Sequence, residues 1–215
     1  WRLPIIGTDS NERITDKTKS NGSNVSSLRN LARLAEAGLR SEAFLESERG
    51  ETLSLRPIIV VVRKDPASTR AIALGDVILL PIKPSDNGKD AGSVLVHELG
   101  HSIGKLADEY TLGSSKAYMG TEPDAINVTI MPKYVGTAPQ WQKWLGKMPH
   151  ASPSDTEYKV GYHFQGAYEF GSGIYRPANR CKMNNSGEDE PFCPVCEETY
   201  ALGLLKRIGL NKAQA

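Results

Sequence analysis

Two histidines four residues apart enclose a glutamate in His97-Glu98-Leu99-Gly100-His101. On an α-helix, positions i and i+4 share a face one turn apart, so both imidazoles can reach one cation at the roughly 2.0–2.1 Å of a zinc–nitrogen bond. Glu98 lies beside that face, where a carboxylate can take a proton from activated water without itself ligating the metal. Three residues beyond His101 stands Gly104, whose backbone freedom lets the chain leave the helix and swing under the cation. Asp108 and Glu109 follow at once. A carboxylate oxygen is an acceptable third zinc ligand, and Asp108 is the expected one, with Glu109, His150 and His163 as alternatives.

A helix has to carry this trio. After the turn-rich stretch 84–88, Asp90 can cap a helix over about 91–103, with Val94, Leu95, Leu99 and Ile103 on its inner side. Upstream, Pro57-Ile58-Ile59-Val60-Val61-Val62 reads as a strand covered on both faces, and Asp76-Val77-Ile78-Leu79-Leu80 as a second, shorter one. Leu28, Leu31, Leu34, Ala35, Leu39, Phe44 and Leu45 recur at helical spacing behind a cap at Ser27, while residues 2–24 read as an extended entry with a short strand at 3–6. Five prolines between 111 and 159 predict a loop-dominated half with one short helical stretch around 141–145. A final helix runs from Pro191 or Pro194 to about Leu210, offering Val195, Tyr200, Leu204, Leu205 and Ile208 for burial. The expected class is α+β, with a mixed sheet, a helix that carries the site, a loop-rich second half and a C-terminal helix.

The whole chain of 215 residues is expected to form one catalytic domain, with an upper subdomain over about 1–104 and a lower one over about 105–215. Lys and Arg number 26 against 25 Asp and Glu, a formal net charge of +1. That leaves no field to gather phosphates, so nucleic-acid and anionic-membrane partners lose their usual signal. The longest apolar runs, 57–62 and 77–82, fall far short of the roughly 20 residues that span a bilayer. The chain opens at Trp1 without a leader, as a processed product would.

Three cysteines crowd into the last fifth of the chain, at Cys181, Cys193 and Cys196. A redox pair would sit in a βαβ context that is absent, and a four-ligand zinc site needs a fourth partner not evident nearby. A disulfide from Cys181 to Cys193 or Cys196 is therefore expected, against three buried free thiols, and it would imply an oxidising compartment. Asn21, Asn24, Asn127 and Asn184 head Asn-x-Ser/Thr sequons. Residues 86–90 contain only part of a calcium-loop pattern and read better as a turn and helix cap.

The string from His97 to Tyr110 resembles the zinc signature of the IgA-peptidase family of zinc metallopeptidases, relatives of the metzincins. Asn127-Val128-Thr129, Trp141 to Trp144, Gly173-Ile174-Tyr175-Arg176-Pro177, Cys181-Lys182-Met183 and Phe192-Cys193-Pro194-Val195-Cys196 extend the likeness over about 57–210. The resemblance implies a zincin, metzincin-like fold with its cleft between two subdomains, zinc on His97, His101 and a nearby acid, and Glu98 as catalytic base. It implies peptide-bond hydrolysis in protein substrates; a secreted monomer is expected beside it, with an upstream pro-segment as a compatible refinement. Tyr175 is the expected oxyanion donor, with Tyr110 and Arg176 as other candidates, and Met183 would form a methionine turn beneath the metal. Two departures stand out. The metzincin third ligand would fall on Ala107, one residue before Asp108, and Gln165 stands where a glutamate is expected. The rival class is a non-catalytic protein-binding module that keeps the zincin fold.

Overall fold

In the computed structural model, residues 58–64, 70–82, 89–113, 116–130, 140–149, 156–161, 163–187 and 190–207 are described. The readings for residues 2–45, the 84–88 turn, His150 and residues beyond 207 lie outside them.

The β-branched run makes strand β1, Ile59–Lys64, which pairs in parallel with β3, Val77–Ile82, from Ile59 opposite Val77 to Lys64 opposite Ile82. Between them in the chain, β2, Ile72–Leu74, lies antiparallel on the other side of β3 and gives the order β1-β3-β2. Gly75 opens the two-residue connection from β2 to β3 with φ of 70°, the positive value that so short a hairpin requires at this position. Three expectations shift. β1 begins two residues later than the apolar run, and at its far end Val62 is 56% exposed, so the strand is not covered on both faces throughout. β3 is as long as β1 because it continues through Pro81 and Ile82. β2 is too short to show alternation in sequence.

Helix α1, Lys89–Gly104, begins one residue before Asp90, which stands in the first turn rather than at the cap. Its buried positions include His97, Glu98, Gly100, Ser102 and Ile103, whereas Val94, Leu95 and Leu99 are only half-buried. The inward face is thus polar, because it looks onto the site. At its end the left-handed residue is Lys105, φ 55°, and not Gly104. Leu106 N–H reaches back six positions to the Gly100 carbonyl at 3.3 Å and closes the helix end. Lys105 Nζ donates to the Ser102 carbonyl at 3.0 Å and ties down the last turn.

The second half carries a hairpin that the sequence did not signal. Strands β4, Phe164–Ala167, and β5, Phe170–Arg176, pair antiparallel, with Ala167 opposite Phe170. Tyr168 and Glu169 form the connection, at φ 54° and 69°. Two successive left-handed residues are the type I′ arrangement, ordinarily announced by Asn-Gly or Asp-Gly. What holds Tyr168 and Glu169 there is the segment 108–110: their N–H groups donate to the carbonyls of Asp108 at 2.9 Å and Tyr110 at 3.0 Å.

Between α1 and the hairpin, the stretch around 141–145 is a 3-10 turn, Gln142–Trp144, and a second such turn spans Thr156–Tyr158. Trp141 is fully buried and donates from Nε1 to the Gly161 carbonyl at 3.0 Å. An indole of this kind removes about 150–250 Å² from water, which at about 25 cal/mol per Å² contributes roughly 4–6 kcal/mol as an upper estimate. That anchors a loop-rich half without long elements. Trp141 shares its core with Leu106, Val160, Met183, Val195 and the three cysteines.

Helix α2, Pro194–Arg207, starts at the second of the two candidate prolines and lies across α1. Val195 is buried as expected, but Leu204 is 44% exposed. Its tie to α1 is a close approach of backbones, since a Cβ on Gly203 would stand 2.3 Å from the Ile103 carbonyl oxygen. Arg207 then donates to the Ser102 carbonyl at 3.0 Å and pairs with Asp76 in the β2–β3 turn. The described residues form a small α+β arrangement with two small sheets and two helices. No described helix is long and apolar enough to cross a membrane. Gly203→Ala should lower stability by about 1–3 kcal/mol, the cost of overpacking where backbone must move, and the drop is read as a shift in the denaturation midpoint. An unchanged midpoint would mean the helices are not in contact there.

Candidate metal centre and its cleft

His97 and His101 stand on the buried face of α1 with their rings edge to face, centroids 4.9 Å apart. His97 Nδ1 lies 2.8 Å from the Lys182 carbonyl, and His101 Nδ1 lies 2.7 Å from the Leu106 carbonyl. A carbonyl only accepts, so both rings carry their proton on Nδ1 and turn Nε2 lone pairs the other way. Those two Nε2 atoms converge on a single carboxylate oxygen, Asp108 Oδ1, at 3.0 and 3.2 Å.

Two lone pairs and a carboxylate facing one another share no proton unless an imidazole takes up a second one. The Asp108 carboxylate favours that second proton. Although burial opposes the charge, hydrogen bonding to Asp108 raises His101 above the ordinary histidine value. Asp108, also opposed by burial, is held well below the usual carboxylate range by hydrogen bonds from His101 and His97. A divalent cation resolves the same conflict with neutral imidazoles. The spacing suits it: ligand atoms on a tetrahedron with 2.0–2.1 Å bonds are about 3.3 Å apart. The donor set of two imidazoles and one carboxylate therefore fits zinc, with a fourth position left open.

The third residue of this set is placed by a polar clamp. Buried Asn127 accepts from Ala107 N–H at 2.9 Å and donates to the Ala107 carbonyl at 2.8 Å and to Glu109 Oε1 at 2.9 Å. It holds residues 107–109 extended, so that Asp108 and Glu109 face opposite ways. Asn127 had figured in the sequence only as part of a family string and as a sequon. Its fully buried, fully engaged amide leaves no room for a glycan. Lys182 is equally engaged: its carbonyl orients His97, while Nζ donates to Ser93 Oγ at 2.6 Å and to the Gly187 carbonyl at 2.9 Å. Met183, fully buried, packs its sulfur on α1 at Gly100, where a Cβ would come within 2.6 Å. Gly100 lies between the two histidines, so Met183 supports the helix at the site.

Glu98 is buried beside the histidines, and that burial raises its carboxyl above the ordinary value, with the neighbouring imidazoles opposing. The Ala73 backbone N–H bonds to it, which brings the edge of β2 against the site. An open cleft of about 820 Å³ lies in front, lined at its base by His97, Glu98, His101, Asp108 and Tyr110 and along one wall by residues 70–73. Tyr110 stacks near His97 at 6.3 Å between centroids, and burial together with the Asp108 charge pushes its phenol up to about 12.

Other candidates fall elsewhere. Tyr175 is in β5 with its ring against His163, 5.3 Å between centroids, and neither lines this cleft. Arg176 donates to the carbonyls of Gln165, Gly166 and Ala178 and serves the hairpin. Gln165 is exposed in β4. Glu109 points away from the histidines into the cysteine core. The expected disulfide is absent: Cys181, Cys193 and Cys196 are all free and buried, which removes that argument for an oxidising compartment.

Asn127→Ala should loosen metal binding by about 10–100-fold through loss of ligand orientation, measured by competition against a chromogenic chelator. Affinity equal to that of the unaltered chain would show that residues 107–109 keep their course without the clamp.

Residues 75–160 match the model of the IgA Peptidase M64 family. Comparison with curated proteins finds no match. The matched stretch opens at the β2–β3 turn, spans α1 with His97, Glu98 and His101, and includes Asp108 and the Asn127 clamp. Over that stretch, 86 of the 215 residues, the chain is similar to the IgA peptidase M64 family, and this likeness points to a peptidase.

Proposed function

We propose that this protein is a zinc-dependent endopeptidase with a zincin-type, metzincin-like fold, in which His97, His101 and Asp108 hold the metal and Glu98 is the general base. The observation that carries the reading is the commitment of both Nδ1 atoms to carbonyls while both Nε2 atoms meet on Asp108 Oδ1. Bound there, zinc supplies a Lewis acid that makes water acidic near pH 7 and polarises the scissile carbonyl.

The chain's own groups do the rest. Glu98 stays out of the ligand set, takes the proton of the attacking water and passes it to the departing amine; its burial-raised carboxyl suits a group that must both gain and lose that proton. Tyr110, kept protonated well above neutrality, is the phenol in the cleft able to donate to a developing oxyanion, and it takes the role expected of Tyr175. The wall at 70–73, whose β2 pairs on one side with β3, offers extended backbone along which a substrate strand can lie.

The competing reading, a binding module that keeps the fold, is disfavoured by an intact Glu98 packed between both histidines and the β2 edge. Glu98→Gln separates them. It should retain bound metal and cut an unstructured protein substrate about 10²–10⁴-fold more slowly. Undiminished cleavage would remove Glu98 from the mechanism. Chelation should abolish cleavage by the unaltered chain and added zinc should restore it; cleavage indifferent to chelator would rule out the metal.

A further inference from the structure

We propose that the protein holds a second divalent cation, structural rather than catalytic, in a closed site made by Cys181, Cys193, Cys196 and Glu109. All four side chains are fully buried, and their ligand atoms lie within 4.8 Å of one another. Thiolates around a tetrahedral zinc with 2.3 Å bonds stand about 3.8 Å apart, so a small contraction closes the shell. Cys193-Pro194-Val195-Cys196 has the two-residue spacing with which one turn presents two thiolates to one metal, and it opens α2, whose N-terminal end favours negative sulfur. Cys193 N–H already donates to Cys181 Sγ at 3.2 Å. The fourth partner, invisible at a distance of 72 residues in sequence from Cys181, is Glu109.

The carboxylate points to a ligand. Glu109 Oε1 accepts from Asn127 at 2.9 Å and from Cys196 Sγ at 3.1 Å, but Oε2, in the same fully buried side chain, has no hydrogen-bond partner among the described residues. A disulfide would use two of the sulfurs and leave Oε2, with the third thiol, as it is. A cation uses all four groups at once. Binding releases to solvent the three thiol protons, together with any proton that burial keeps on the Glu109 carboxyl, and leaves three thiolates and a carboxylate on a doubly charged ion; Asn127 and the Cys193 N–H offset part of the excess negative charge. The arrangement has no open position, the mark of a structural site. It would also fasten the peptidase site from behind, since Glu109 neighbours Asp108, and Cys181 neighbours Lys182, whose carbonyl orients His97.

Cobalt(II) titration of the full, reduced chain tests this. Sulfur-to-cobalt charge transfer gives an intense near-ultraviolet band that the histidine–aspartate site, lacking sulfur, cannot produce. Two equivalents should bind, one with that band; His97→Ala/His101→Ala should lose one equivalent and keep the band, and Cys193→Ser/Cys196→Ser should lose the band. Absence of the band from the unaltered chain overturns the proposal, as does a Cys181 disulfide found by mass in unreduced protein. A chain with the band that cuts no protein would instead sink the reading of the histidine site and leave this one standing.

Discussion

Three electron-rich atoms brought together with no proton between them constitute the constraint on which this structure turns. His97 Nε2, His101 Nε2 and Asp108 Oδ1 meet because each imidazole has already given its one proton to a backbone carbonyl. The carboxylate favours a further proton on His101, and the same three atoms are spaced to hold a cation. The rest of the fold can be understood as what keeps such an unfavourable meeting from relaxing. α2 braces α1 through a glycine contact, Met183 supports it beneath Gly100, and Asn127 keeps Asp108 from turning away.

The upper sheet contributes less by covering the site than by ending beside it. Its short edge strand reaches Glu98 with the Ala73 N–H, so the carboxyl beside the two histidines is tied to one wall of the cleft. On the opposite side, the hairpin β4–β5 borrows the carbonyls of Asp108 and Tyr110 to hold a turn its own residues disfavour. The ligand-bearing segment thus sits between clamp and hairpin, with partners on both sides.

Much of the site was legible because one helix carries it. Spacing alone puts His97 and His101 on one face with Glu98 beside them, and the following carboxylate is close enough in sequence for Asp108 to be named. What stayed hidden depends on contacts across long separations. Tyr168-Glu169 contains none of the residues that ordinarily announce a type I′ turn, so the hairpin had no local sign. β2 is three residues long. Asn127 looked like a sequon until its amide was found buried against Ala107 and Glu109. The expectation of Tyr175 ahead of Tyr110 had no packing information behind it: Tyr110 lines the cleft, whereas the Tyr175 ring packs against His163. The inner face of α1 misled for a related reason: apolar periodicity marks what packs on a core, and this helix turns its polar residues inward.

Both imidazoles are aimed by main-chain carbonyls, those of Leu106 and Lys182. Exchanging the side chain at either position leaves the acceptor atom in place, so the aim of the rings is insulated from ordinary substitution. The weakness moves to chain length instead. An insertion or deletion between His101 and Leu106, where Lys105 makes its left-handed step, would carry the carbonyl away bodily and turn the His101 ring off the site.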